Sequence, residues 1–145
     1  MEPKSWICDY CGDAITEPLQ ALVTWSTDSD QRAHHFLYVH KGDCDKERND
    51  KSWELSHTLG LDGHAWWMSF LTNGPVRHGE PKAGVVDMDE FVDAFRRAQV
   101  PGYEEARPYF RSAEVQERYA DAPEFGPYEP WALANIAEIG RKAST

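Results

Sequence analysis

The stretch CDYCG, residues 8–12, holds two of the three cysteines in this 145-residue chain, with two residues between them. The third cysteine ends a second short stretch, HKGDC, at residues 40–44. Two cysteines at the first spacing can bind a metal ion from one tight turn, and Gly12 tolerates the positive φ that such a turn can require. Together the two stretches offer three thiolates and one imidazole, the kind of donor set that binds structural zinc.

These donors predict one structural Zn²⁺ ion in a tetrahedral site. The predicted ligands are Cys8, Cys11, His40 and Cys44. Four protein ligands leave no position for water, so the ion is expected to stabilise structure and not to activate a nucleophile. His34 and His35 are alternative imidazole ligands, although they lie further from the third cysteine. Reduced core cysteines and a redox-active CxxC pair are two further interpretations of the same residues.

The residues between the two stretches predict an antiparallel β-hairpin, because residues 19–25 and 35–39 are strand-like and flank a polar connection. Residues 44–55 are charged and predict a helix, with Asp43 as its N-cap. This order of knuckle, hairpin and helix resembles the treble-clef zinc finger over residues 7–55, through the motifs CDYCG and HKGDC. The resemblance implies the same four zinc ligands, with the last two near the start of the helix.

Four or five helices are predicted after residue 58. One spans residues 63–72, with Asp62 as its N-cap. Asp87 and Glu90 predict a capping box at the start of another helix, in which each side chain satisfies a free backbone N–H of the other residue. The apolar stripe of that helix consists of Phe91, Val92, Phe95 and Ala98.

Two further helical segments lie in the last third of the chain. Residues 103–119 are helix-like, but Pro108 must interrupt them. Residues 131–141 form the last predicted helix, because Pro130 suits the first helical position. A shared core is predicted for the large apolar residues Trp66, Trp67, Phe70, Phe91, Phe95 and Leu133.

The predicted fold class is therefore α+β. A treble-clef-like finger of residues 1–58 precedes a helical region of residues 59–145, and the two are expected to pack as one compact unit. At 145 residues the chain is long enough to bury a real core, so the metal need not hold the whole chain together.

The formal net charge is −10, and both halves of the chain are acidic. Phosphate backbones and anionic membrane surfaces repel such a protein unless a local basic patch intervenes. No apolar run approaches the ~20 residues that span a bilayer, and the first residues lack the pattern of a secretory signal. We therefore expect no membrane interaction and a cytoplasmic, reducing location, where spaced cysteines bind metal in preference to forming disulfides.

Three functional hypotheses follow. The favoured one is a non-enzymatic adaptor or regulator that binds another protein. It is favoured by the closed metal site, the acidic surface and the lack of a catalytic set in the sequence. The second is a nucleic-acid-binding zinc-finger protein that uses the local cations Lys41, Lys46, Arg48 and Lys51. The third is an HNH-like nuclease with His35 in its catalytic set. A weaker idea is that the acidic chain imitates the charge of DNA.

Overall fold

The computed structural model describes residues 2–46, 49–77, 84–122 and 126–144. The chain divides into two compact units, and each is described by itself. One unit is Lys4–Gln99, and the other combines Met1–Pro3 with Val100–Thr145. The first unit extends beyond residue 58 and contains two helices as well as the strands.

The strands of the first unit form two small antiparallel sheets. β1 (Trp6–Ile7) and β2 (Ala14–Ile15) pair as a two-stranded ribbon on either side of the CDYCG turn. β3 (Ala21–Thr27) lies between β4 (Ala33–His40) and β5 (Lys51–Glu54) in a three-stranded sheet. The predicted hairpin is confirmed by the pairing of β3 with β4, and both strands extend beyond the predicted residues at their C-terminal ends.

The prediction of a helix at residues 44–55 is wrong. Residues 51–54 form β5, which pairs antiparallel with β3, and no α-helix lies between β4 and β5 in the described residues. The Asn49 side chain donates to Thr24 Oγ1 at 2.8 Å and to the His35 carbonyl at 2.9 Å, so it fastens the chain entering β5 to the sheet. Long-range pairing therefore overrides the helical appearance of a charged segment.

α1 (Gly60–Met68) begins three residues before the predicted start and ends four residues before the predicted end. Its N-cap is Leu59, so Asp62 lies within the first turn and does not cap the helix. After Met68 the chain continues in tighter turns, with Phe70 N–H donating to the Trp67 carbonyl at 3.1 Å. This i to i+3 bonding replaces the predicted last helical turn.

α2 (Met88–Gln99) confirms the predicted apolar stripe, with Phe91 and Ala98 buried in the core. One half of the predicted capping box is present, because Asp87 Oδ1 accepts from the Glu90 N–H at 3.4 Å. The other predicted bond, from the Asp87 N–H to the Glu90 side chain, is wrong, because Glu90 Oε1 accepts instead from the His35 N–H at 2.6 Å. The Glu90 carboxylate thus ties α2 to β4.

The described residues of the second unit form three helices: α3 (Tyr103–Ala106), α4 (Ala113–Arg118) and α5 (Pro130–Ala143). Pro108 lies in the interruption between α3 and α4, and Pro130 opens α5, as predicted. The described residues therefore contain five α-helices and belong to a mixed α+β fold. Among them, no helix has both the length and the apolar character needed to cross a bilayer.

Each unit has its own core. Trp67 and Phe91 are buried in the first, where Trp66, Phe70 and Phe95 pack against them. Leu133 is buried in the second unit, in a cluster with Tyr103, Ala106, Val115, Ile136 and Ala137. The prediction that Leu133 shares a core with the tryptophans is therefore wrong, because the chain enters its second unit after Gln99.

Replacing Gly63 in α1 by Ala is expected to destabilise the first unit. The added Cβ would lie 2.0 Å from the Thr58 carbonyl carbon. The Thr58 carbonyl oxygen accepts from Trp67 Nε1 at 3.1 Å and from Gln99 Nε2 at 2.9 Å. Moving this backbone away from the added methyl group would break these hydrogen bonds. We expect a loss of about 3 kcal/mol, typical of severe overpacking, measured by urea unfolding with zinc present.

Leu61→Ala is the control for this substitution, because Leu61 lies in the same helix with 90% of its surface exposed. Its effect is expected to stay below about 0.5 kcal/mol. Equal unfolding midpoints for the two variants would contradict the described packing of α1.

Candidate metal centre

The four predicted ligands come together in the first unit. The donor atoms of Cys8, Cys11, His40 and Cys44 all lie within 4.8 Å of one another. They come from the turn between β1 and β2, from the last residue of β4 and from the turn that follows it. The four side chains are therefore close enough to bind one metal ion.

The turn between β1 and β2 directs its backbone N–H groups at the sulfur atoms. Gly12 has a φ of +83°, which glycine adopts without strain, and its N–H donates to the Cys8 carbonyl at 3.0 Å. The Cys11 N–H donates to Cys8 Sγ at 3.5 Å, and the Asp13 N–H donates to Cys11 Sγ at 3.4 Å. The bond to Cys8 Sγ favours the thiolate form of Cys8, which is the form that binds metal.

His40 presents Nδ1 to the sulfur atoms and Nε2 to the protein backbone. Nδ1 lies 3.5 Å from Cys11 Sγ and 3.6 Å from Cys44 Sγ. Nε2 lies 3.2 Å from the Ala14 carbonyl oxygen. Because a carbonyl oxygen only accepts, Nε2 is the nitrogen that carries the proton, and the lone pair of Nδ1 is directed to the cluster. A hydrogen bond of this kind from the other ring nitrogen is common in metal-binding histidines.

Two of the thiols have displaced pKa values in opposite directions. Burial opposes ionisation of Cys8, but the backbone N–H groups of Cys11, His40 and Tyr10 outweigh it and lower the pKa of Cys8 to about 6. Burial, and then the neighbouring sulfur atoms of Cys11 and Cys8, raise the pKa of Cys44 to about 12. One thiolate is therefore formed before metal binds, whereas Cys44 must lose its proton on binding.

Cys44 does not lie in a helix. It follows Gly42, which has a φ of +79°, in a turn closed by the Asp45 N–H and the Gly42 carbonyl at 3.0 Å. The prediction of Cys44 in a first helical turn is therefore wrong, although the turn brings its sulfur close to the other three donors.

Two residues near the cluster are not singled out by the sequence pattern. Asp9, inside the CDYCG turn, forms an ion pair of 2.7 Å with Arg97 of α2, whose side chain is only 2% exposed. The available signal is helical spacing. Arg97 follows the buried Phe91 and Ala94 at intervals of three residues, so a cation continues the apolar face of α2.

The alternative histidines do not join the cluster. His34 is half-buried on β4, opposite Ser26 of β3. His35 has a φ of +60° where the β3–β4 register shifts. In the part of the chain that the structure describes, no second group of three or more His, Cys, Asp or Glu side chains is placed to hold a metal ion.

The basic cluster proposed for nucleic-acid binding is partly neutralised. Lys41 forms an ion pair with Glu54 at 2.8 Å. Lys46 and Lys51 are exposed, and Arg48 lies outside the described residues.

No protein-family model, curated protein or solved structure matches this chain. The treble-clef resemblance therefore rests on the two cysteine motifs, and the helix that it implies after the hairpin is replaced by β5.

The geometry predicts that His40 is the metal-binding histidine and His34 is not. His40→Gln should weaken cobalt(II) binding at least about tenfold, because even an outer-shell partner is typically worth that much. His34→Gln is the matched control and should bind cobalt like the wild type. The intensity of the visible cobalt bands reports the coordination. Unchanged bands in His40→Gln together with altered bands in His34→Gln would contradict this assignment.

Metal binding at pH 7 is expected to release protons, at least one of them from Cys44. A thiol with a pKa raised to about 12 stays protonated in the metal-free protein, whereas a metal ligand must be a thiolate. Apparent affinity should therefore fall as the pH is lowered. Calorimetric titration in two buffers of different ionisation enthalpy measures the protons released. Identical heats in both buffers would show that no proton leaves.

Proposed function

We propose that the four side chains bind one zinc ion in a closed, structural site. Tetrahedral zinc with sulfur at about 2.3 Å and nitrogen at about 2.0 Å implies sulfur–nitrogen separations of about 3.5 Å. The separations of His40 Nδ1 from Cys11 Sγ and Cys44 Sγ are 3.5 and 3.6 Å. This agreement is the single observation that carries the proposal.

The donor atoms favour zinc over the hard cations. Magnesium and calcium prefer oxygen ligands, whereas thiolates and imidazole suit zinc. A cluster of three thiols also fits a reducing compartment, so the proposal includes a cytoplasmic location.

The zinc ion would join two stretches of the chain whose nearest ligands, Cys11 and His40, are 29 residues apart. The β1–β2 turn supplies two sulfur atoms, the end of β4 supplies the imidazole, and the next turn supplies the last sulfur atom. When such a site forms only in the folded chain, metal-binding free energy becomes folding free energy, on the order of 10 kcal/mol for structural zinc. The ion is therefore expected to act as a cross-link and not as a Lewis acid.

For the whole chain we propose a non-enzymatic adaptor or regulator that binds another protein. A closed metal site leaves no position at which water or substrate could be activated. Large aromatic side chains are also exposed, with 65% of Trp131 on α5 and 45% of Trp53 on β5 accessible. Tryptophan is enriched among the residues that dominate binding at protein interfaces.

The second unit also offers a concave surface next to its helices. An open groove of about 480 Å³ is lined by aromatic and polar side chains, including Phe110, Arg111, Gln116, Tyr119 and Tyr128. A concave aromatic surface of this kind supports binding of a protein segment over binding of a phosphate backbone, which the net charge of −10 disfavours.

The test begins with protein purified from its natural host without added metal. Elemental analysis is expected to give about one zinc per chain, because three thiolates and one imidazole complete a tetrahedron. A co-purifying protein should then bind the purified chain directly in size-exclusion chromatography. Trp131→Ala or Trp53→Ala is expected to weaken that complex while leaving the zinc content unchanged.

Lys142→Ala is the control, because Lys142 is exposed on the same helix as Trp131. It should bind the partner like the wild type. An enzymatic activity of the purified chain, with no direct partner, would contradict the adaptor proposal, whereas absence of zinc would contradict the metal site.

A further inference from the structure

We propose that Arg97 of α2 is a positioning residue for the metal centre, and that metal binding and the packing of α2 stabilise each other through it. The inference rests on metal binding by the four-residue cluster described above. It adds a connection between the CDYCG turn of that cluster and Arg97, which lies about ninety residues further along the chain.

The Arg97 guanidinium binds the residues on both sides of Cys8. Nη1 donates to Asp9 Oδ2 at 2.7 Å, and Nη2 donates to the Ile7 carbonyl at 3.0 Å. One planar group thus restrains the backbone before and after a metal-binding sulfur atom. Arginine suits this task because its donors lie in a rigid fork.

The same carboxylate also connects the turn to β4. Asp9 Oδ2 accepts from the Tyr38 N–H at 2.7 Å, and the Asp9 N–H donates to the Tyr38 carbonyl at 2.8 Å. Tyr38 lies two residues before His40, so these bonds set the distance between two ligand-bearing segments. The Arg97 guanidinium also lies 4.2 Å from the centre of the Tyr38 ring.

The backbone of α2 around Arg97 is itself held by side chains of β1 and β4. Trp6 Nε1 donates to the Arg97 carbonyl at 2.8 Å, and Tyr38 Oη donates to the Ala94 carbonyl at 2.6 Å. A guanidinium cannot lose its proton in a protein, and the Asp9 carboxylate stabilises this buried charge through an ion pair of 2.7 Å. Displacement of the turn would therefore break this buried ion pair.

Thermodynamic linkage gives this arrangement a consequence. A metal ion restrains Cys8, and so favours the positions of Ile7 and Asp9 in which they bind Arg97. By reciprocity, the factor by which bound metal strengthens the Arg97 contacts is also the factor by which those contacts strengthen metal binding, so their removal should weaken metal binding by that factor. A role for Arg97 in general stability alone does not require the metal site to change.

The test measures two quantities in the wild type and in each variant. One is the zinc affinity, from competition with a chromogenic chelator, and the other is the visible spectrum of the cobalt-substituted protein. Arg97→Met removes the charge and the fork, Arg97→Lys keeps the charge, and Asp9→Asn removes the carboxylate. We expect Arg97→Met and Asp9→Asn to weaken zinc binding about tenfold or more, to alter the cobalt bands, and to be non-additive in the double variant. Arg97→Lys should recover part of the affinity.

Two controls separate positioning from stability. Phe91→Leu removes core volume from α2, where Phe91 packs on Phe36 and Trp67, and so destabilises the fold without touching the turn. Arg32→Met breaks an exposed ion pair with Asp28 in the same unit. Both should retain the wild-type cobalt spectrum, and Arg32→Met the wild-type zinc affinity.

The inference would be overturned by two results together. The first is that Arg97→Met and Asp9→Asn bind zinc with affinities within about twofold of that of Phe91→Leu. The second is that their cobalt bands are unchanged. If Arg97→Met does not fold, the zinc affinities and cobalt bands of Asp9→Asn and Arg97→Lys test the same inference. A wild-type chain that binds no metal refutes the zinc proposal itself, whereas a zinc-binding wild type with unaffected variants refutes only the role of Arg97.

Discussion

The end of β4 is in contact with the CDYCG turn, and much of the first unit depends on this one contact. Two sets of contacts enforce it. In the first, the His40 imidazole lies among three sulfur atoms. In the second, the backbone N–H and the carboxylate of Asp9 form hydrogen bonds with the backbone of Tyr38, which lies two residues before His40. Arg97 then connects the same turn to α2, which packs on the sheet. A metal ion at the cluster would therefore stabilise a contact that the protein already builds from hydrogen bonds and one buried ion pair.

The local parts of this arrangement could be predicted from the sequence. Cysteine spacing identifies Cys8 and Cys11 because two ligands from one turn must lie close together, and the nearby His40 and Cys44 complete a donor set. The hairpin followed from two strand-like runs, and the buried face of α2 followed from its helical period. Each of these features depends on residues that are neighbours along the chain or repeat with a fixed period.

The remaining features depend on contacts between distant residues. β5 looks helical by composition, but pairing with β3 and the side chain of Asn49 hold it as a strand. Arg97 looks like a surface cation until its partner Asp9, 88 residues away, is known. Leu133 has the right spacing for a core residue, yet spacing does not say which of two cores it enters. The sequence period reveals a buried face but not the surface that covers it.

The proposed site has three sulfur atoms and one nitrogen atom around a single zinc ion, with no water among them. X-ray absorption at the zinc edge, on protein purified without added metal, measures this ligand shell. The expected shell is three sulfur atoms at about 2.3 Å and one nitrogen atom at about 2.0 Å. A shell containing oxygen, fewer than three sulfur atoms, or no zinc signal would contradict the proposed site.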